Sequence, residues 1–426
     1  MKPLPRMAHL LRIAAASAWN RRLTLGLILT AITLSVALLL AVERLRREAR
    51  DGFAQAVSGV DLVVGARSSP VQLMLYAVFR IGDATHNMRW DSFRAIAARP
   101  DVAWAVPLSL GDSHRGFPVL GTTAAYFEYF RHGAAVPLAL ASGRRFEGLF
   151  EAVIGADVAR QLGYRQGERI VLNHGSGADA LAEHADKPFL VAGILARTGT
   201  PVDRTVHVSL ESIEAIHLDW QGGAPIPGVR IAPALARKFD LAPKAITAVL
   251  VGLKNRSAVF RAQRQINTYE AEALLAVLPG VALDELWRVV EVVERTLLAV
   301  SVLVVATGLA SLVAVMLAGL NERRRELAIL RAVGARPRDI FLLVAVEGLG
   351  VTLAACVAAL LLLALTVAAA GTPIQAHFGI AIQAKWPLPS EWLLLGGVVC
   401  AGLLTSLLPG YRAYRMSLGD GLTPRS

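Results

Sequence analysis

His174, His184, His207 and His217 are the residues of this sequence whose type best suits a transition-metal centre, because neutral imidazole is a good zinc ligand. Their spacing argues the other way. No two of them share a ligand spacing such as H-x(3–5)-H, so solvated loop histidines and no metal site are expected. Other chemistry is equally thin. The sequence has no HExxH, no GxSxG and no G-x-x-x-x-G-K-[ST] phosphate loop, so no catalytic or cofactor-binding residue is assigned. Cys356 and Cys400 both fall in apolar runs and read as small buried residues. The charged residues that stand out are Glu347, an acid inside a long apolar run, and the stretch 320–343, "LNERRRELAILRAVGARPRDIFLL". An acid within a bilayer span is either functional or paired. Pairing with Arg338 or a neighbouring arginine is the expectation here.

The elements that would position these residues are mostly membrane spans. The chain of 426 residues is 54% hydrophobic and only 18% charged, more apolar than an ordinary soluble domain. Its net charge of +11 does not indicate nucleic acid, since many arginines flank apolar runs and aromatic interleaving is absent. Four segments are long enough to cross a hydrocarbon core, which takes about 20 apolar residues. The organisation read from them is a cytoplasmic amphipathic segment 1–22, a first span 23–43, a large domain 44–288, a stalk end with the second span 289–320, a loop 321–339, a third span 340–371, a short loop 372–391, a fourth span 392–411 and a tail 412–426. The first span has no small-x-small site after it and is followed by Glu43-Arg44-Leu45-Arg46-Arg47, so it is read as retained.

Arginine and lysine bias sets the orientation. Lys2, Arg6, Arg12, Arg21 and Arg22 precede the first span, and the loop 321–339 carries Arg323, Arg324, Arg325, Arg331, Arg336 and Arg338. The loop 372–391 has only Lys385. Both termini and the arginine-rich loop are therefore expected on the cytoplasmic side of the membrane, with the long segment 43–295 on the opposite side.

Within the large domain, strand-like stretches (61–66, 168–173, 189–195, 205–210, 245–253) alternate with helix-like ones (70–79, 90–98, 155–163, 257–278), which predicts a mixed α/β fold. The stretches 42–57 and 282–300 run helically out of the first span and into the second without a breaker, and would behave as stalks.

In the loop between spans two and three, Leu327, Leu330 and Val333 recur about every three residues, Gly334 is a helix stop, and Pro337 with Asp339 opens the next helix. Periodicity alone leaves two readings open: a helix that another protein pushes, or one that rests in anionic headgroups. Ala306, Ala310, Ala314 and Ala318 lie four apart on span two and form a candidate dimer seam, although the chain is alanine-rich throughout.

"RRRELAILRAVGARPRDIFLLVAVEGL" resembles the signature of the FtsX/MacB/LolC-type ABC transporter permeases, with Glu326, Leu330, Arg331, Gly334, Ala335, Ile340 and Glu347 on the pattern and Ala328 in place of the commoner glycine. "LLPGYRAYRMSLGDGL" and "AWNRRLTLGLILTAITLSVALLL" resemble the family's closing and opening segments, and "DLVVGARSSPVQL" and "TGTPVDRTVHVSLESIEAIH" its periplasmic domain. The resemblance implies a four-helix membrane protein with a periplasmic α/β domain between helices one and two. It further implies a coupling helix at 322–334 that docks on a cytoplasmic ABC ATPase dimer, with Glu326 and Arg331 as polar contacts and Leu327 and Leu330 as apolar ones, closed by Gly334. This chain would hold no cofactor; ATP and Mg would belong to the partner. The expected partners are that ATPase, a second permease copy or a related permease, and a periplasmic adaptor or substrate protein. The expected task is mechanical: export or membrane extraction of a hydrophobic substrate such as a lipoprotein, lipid, peptide or drug. The alternative is an FtsX-like regulator of a periplasmic cell-wall hydrolase.

Overall fold

A computed structural model describes residues 22–175, 182–221, 224–332, 334–378 and 386–415. Residues 1–21 of the N-terminal segment expected at 1–22, most of the tail, Val333, and Lys385 with the centre of the short loop lie outside the described residues. Two compact units emerge, one holding the long apolar helices and the other the inserted residues 49–290.

The membrane unit is built on four helices long and apolar enough to cross a bilayer. They belong to helix α1 (Arg22–Gln55), α8 (Pro279–Glu322), α10 (Pro337–Phe378) and α11 (Pro389–Arg415). The expected helical continuity is present: α1 continues past the first span, and α8 is one helix of 44 residues that begins at Pro279. Their buried positions follow helical period. Ile28, Ile32, Val36, Leu39 and Leu40 on α1 join Val305, Leu309, Leu312, Met316 and Leu320 on α8 in one apolar core. Glycines let helix backbones approach closely. A Cβ added at Gly402 would lie 2.5 Å from Thr352 Oγ1, and one at Gly348 would lie 2.6 Å from Ser406 Cβ. Between α8 and α10 stands the short helix α9 (Arg324–Ala332).

The inserted domain is a mixed α/β unit around a 12-stranded sheet. In chain order its strands are β1 (Leu62–Ala66), β2 (Val102–His114), β3 (Phe117–Thr122), β4 (Leu140–Gly143), β5 (Glu151–Ile154), β6 (Arg169–Ile170), β7 (Asn173–His174), β8 (Ala182–Glu183), β9 (Phe189–Leu195), β10 (Val206–Ser209), β11 (Ala248–Leu253) and β12 (Leu274–Val277). The main path runs β12-β1-β11-β2-β3-β10-β5-β9-β4, with β7 added to β2 and β8, and β6 to β9. β1 and β11 are buried at every position, which is why they read as unbroken apolar runs. β2, with 13 residues, is the shared strand: residues 102–108 pair with β11, and its later part pairs with β3 and β7. Its register shifts between Leu110 and Ser113, where Gly111 has φ +149°, a bulge that re-aims the side chains beside it. Helices α2 (Pro70–Ala77), α3 (Trp90–Ala97), α4 (Ala125–Tyr129), α5 (Ala156–Leu162), α6 (Leu210–Ile216) and α7 (Val259–Asn267) cover the sheet.

One expected element is wrong in kind. The stretch 257–278 was expected to be one helix, but α7 stops at Asn267 and 274–277 forms strand β12. The Asn267 side chain accepts the Ala276 N–H at 2.6 Å, which ties the turn, and "LLAV" pairs with β1. Sheet pairing overrides the helical period of that apolar run.

Candidate functional site

The α9 segment is built by local chemistry. Arg323 N–H donates to the Gly319 carbonyl, so the end of α8 passes almost directly into α9. At the other end, Gly334 takes φ +106°, a conformation that suits glycine. Ala335 N–H returns to the Leu330 carbonyl at 3.0 Å and Gly334 N–H to Arg331 at 3.0 Å, satisfying orphan carbonyls. The Asp339 carboxylate accepts the Arg336 N–H at 2.9 Å, capping α10 beside Pro337.

The helix faces two ways. Leu327 and Ala328 are buried and Leu330 packs against the membrane unit's own apolar core, whereas Glu326 and Ile329 are exposed. Arg331 is half-buried and Gly334 exposed. The expectation that Leu327 and Leu330 offer the outward apolar surface therefore needs correction. Within this chain they fasten α9 to its own spans, and Ile329, at 56% exposure, is the large apolar side chain of α9 that faces away among the described residues.

Glu347 is buried and paired, but with Arg323 rather than Arg338. Arg323 Nη1 donates to Glu347 Oε2 at 3.0 Å, the two side chains being 8% and 6% exposed, and Arg323 Nε also reaches Glu326. One guanidinium thus joins the end of α8, the first turn of α9 and the body of α10. A second pair lies elsewhere in the same unit. Arg44 Nε and Nη2 donate to Glu391 Oε1 and Oε2, each at 2.9 Å, with Glu391 fully buried and also accepting the Leu388 N–H. Such two-pronged pairs are geometrically demanding. Sequence reading missed Glu391. Its only signal was an acid at the first turn of a span.

Ala306, Ala310, Ala314 and Ala318 are all exposed, on the side of α8 away from Val305, Leu309 and Leu312. No side chain among the described residues covers that stripe.

In the inserted domain the histidines are not solvated loop residues. His207 is fully buried on β10 beside Tyr126 and Phe127, with Nδ1 at 3.1 Å from the Val153 carbonyl, and burial pushes its pKa down to about 3. His174, His184 and His217 instead meet one another and Asp112. Burial alone would raise the Asp112 carboxyl, but hydrogen bonds from His174 and His217 hold it at about 2. Burial, with the neighbouring His217, lowers His184 to about 4. Asp112 was not singled out in the sequence.

The model of the MacB-like periplasmic core domain matches residues 23–269, and that of the FtsX-like permease C-terminal region matches residues 298–418. Among solved structures, the periplasmic region of MacB from Actinobacillus actinomycetemcomitans is matched at 8% identity over 55% of this chain and 94% of that one, with a TM-score of 0.33. The extracellular domain of the noncanonic ABC-type transporter YknZ from Gram-positive bacteria is matched at 13% identity over 51% of this chain and 99% of that one, with a TM-score of 0.30. No curated protein matches the sequence. One family model covers more than half of the chain and the other its last three spans, so the chain belongs to the FtsX/MacB-type ABC permeases.

Proposed function

We propose that this permease, in a bacterial inner membrane with both termini and α9 cytoplasmic, receives the motion of a separate ABC ATPase dimer at α9 and delivers it to the periplasmic inserted domain. The observation that carries this reading is the construction of α9. It is a separate nine-residue helix, capped at Gly334, fastened inward by Leu327 and Leu330 and to α10 through Arg323–Glu347, and it presents Glu326 and Ile329 outward. A helix that only rested in headgroups would need none of these ties to two spans. The work done is export or membrane extraction of a hydrophobic substrate. Supporting this, the membrane unit's interior is apolar, and its deeply buried acids Glu347 and Glu391 are each held by an arginine, which leaves little lining for a polar path. A second copy would seat against the exposed alanine face of α8.

The test is photocrosslinking from position 329 in native membranes, with position 303 on the apolar face of α8 as the control. Peptides of a protein carrying a Walker A sequence are expected from 329 and not from 303. Failure to capture an ATPase from 326, 329 and 332, with the same chain inserted and folded, would remove the docking role. So would cysteine labelling that puts α9 on the outer face.

A further inference from the structure

Asp112, His174, His184 and His217 bring one carboxylate oxygen and three ring nitrogens together, every ligand atom within 4.8 Å of the others. The shortest separations are 3.1 Å (His174 Nδ1 to His217 Nε2), 3.2 Å (His174 Nδ1 to Asp112 Oδ1) and 3.6 Å (His217 Nε2 to Asp112 Oδ1). A tetrahedral zinc centre with bonds of about 2.0–2.1 Å has edges of about 3.3 Å, so Asp112, His174 and His217 already stand close to that spacing, with a His184 nitrogen within 4.8 Å of each.

Four separate elements supply the groups. Asp112 sits in the β2 bulge, and His174 lies opposite it on β7. His184 follows β8 and is held by its N–H to the Leu172 carbonyl at 2.9 Å. His217 ends α6. The side chains are oriented from behind as well. His217 Nδ1 lies 2.8 Å from the Ile213 carbonyl, so it carries a proton there, and Nε2 is the ring nitrogen that faces the cluster and would bind the ion. Trp220 lies against the His184 ring at a centroid distance of 4.2 Å.

Hydrogen bonding inside the cluster does not account for it. His184 is fully buried, yet neither ring nitrogen has a hydrogen-bond partner among the described residues. A buried polar group left in this way costs about 1–3 kcal/mol, and native proteins seldom retain one without a reason. The nearby cation does not fill the role either: Lys187 is engaged by Asp219 at 2.6 Å and by Asp186 at 3.3 Å. Lone pairs that converge in this geometry call for a divalent ion that accepts nitrogen donors.

We propose that Asp112, His174, His184 and His217 form a binding site for a zinc-class divalent transition-metal ion in the inserted domain of this permease. Three nitrogens and one oxygen suit zinc and its neighbours and disfavour magnesium or calcium, which take oxygen ligands. All four positions of a tetrahedron are protein groups, so the site holds the ion and leaves no coordination place for a reacting water. His174 and His217 are half-buried and give the ion a way in, while His184 forms the floor. Occupancy ties β2, the β7–β8 hairpin and the end of α6 to one point, so the ion also fixes the shape of this part of the domain.

The experiment uses the full-length, tag-free protein in detergent, stripped with a chelator and then titrated with Zn²⁺, with bound metal counted by mass spectrometry after gel filtration. One zinc per chain is expected, with a rise in thermal midpoint that Mg²⁺ does not reproduce. His174→Ala and His184→Ala should each weaken zinc binding at least as much as loss of an outer-shell partner does, about 10–100-fold. Because His184→Ala empties a buried position, Co²⁺ bound to the unaltered protein gives a readout free of folding effects. The expected spectrum is the intense visible band of a four-coordinate ion with nitrogen and oxygen ligands. Substoichiometric zinc, retention unchanged in the partly exposed His174→Ala variant, or a weak six-coordinate cobalt spectrum would each overturn the proposal.

Discussion

The buried polar groups of the membrane unit and of the inserted domain's histidine cluster are solved in opposite ways. In the membrane unit, the deeply buried acids Glu347 and Glu391 each meet a guanidinium at 3.0 Å or closer. In the cluster, three imidazoles and a carboxylate face one another without an arginine or lysine among them. The first arrangement is complete within the chain, while the second is complementary to something small and positive. Burial alone therefore does not identify a ligand site; the sign of what surrounds the buried group does.

The largest effect should come from breaking a membrane pair. Arg323→Leu takes from the buried Glu347 the guanidinium that meets it at 3.0 Å, which is expected to cost about 3–5 kcal/mol. Arg323→Leu combined with Glu347→Leu should recover most of that loss, as read from thermal unfolding in detergent. A double variant as unstable as the single would mean that Arg323 acts through Glu326 instead. A smaller effect should follow from Lys187→Met, which removes the fully buried partner of Asp219. Asp219 keeps the Ile231 N–H at 3.1 Å, so a loss of about 1–3 kcal/mol is expected. Zinc stoichiometry should stay unchanged in that variant, which would separate the satisfied pair from the cluster beside it.

The smallest effect belongs to the exposed rim of the same domain. Hydrogen bonds from Arg144, aided by the N–H groups of Glu147 and Gly148, hold the Glu151 carboxyl at about 2, below its ordinary 4.5. Its contribution to stability is therefore complete above that ordinary value and is lost as pH falls toward about 2. Glu151→Gln should lower the thermal midpoint slightly at neutral pH, with the deficit closing on acidification through that window. A deficit that grows with acid would show that the carboxyl is not held in this way. Solvent screening keeps this effect small.

The membrane unit was legible because each of its features is local. Twenty apolar residues, a glycine stop and a proline start can all be read in one window, as can the apolar strands at 62–66 and 189–195. Partner choice was not local. That Arg323, and not Arg338, meets Glu347 depends on where α9 folds back, and the inward turn of Leu327 depends on the same fold. The histidine cluster was least legible. His174 and Asp112 become neighbours only through the pairing of β7 with β2, at a bulge whose one sequence trace is Gly111. Ligand spacing rules assume that metal residues share an element, and here no two of them do. The misreading of 257–278 has a related cause, since the pairing of β12 with a distant β1 decides its form.

The contacts at Gly348 and Gly402 carry a mechanical consequence. Where α10 and α11 meet there, Thr352 and Ser406 sit where a β-carbon would otherwise be, so main chain nearly touches its neighbour. A clearance that small leaves no room for one rod to slide or roll past the other without collision. The pair must therefore travel as one plank, and a load taken up by either is felt at once along both.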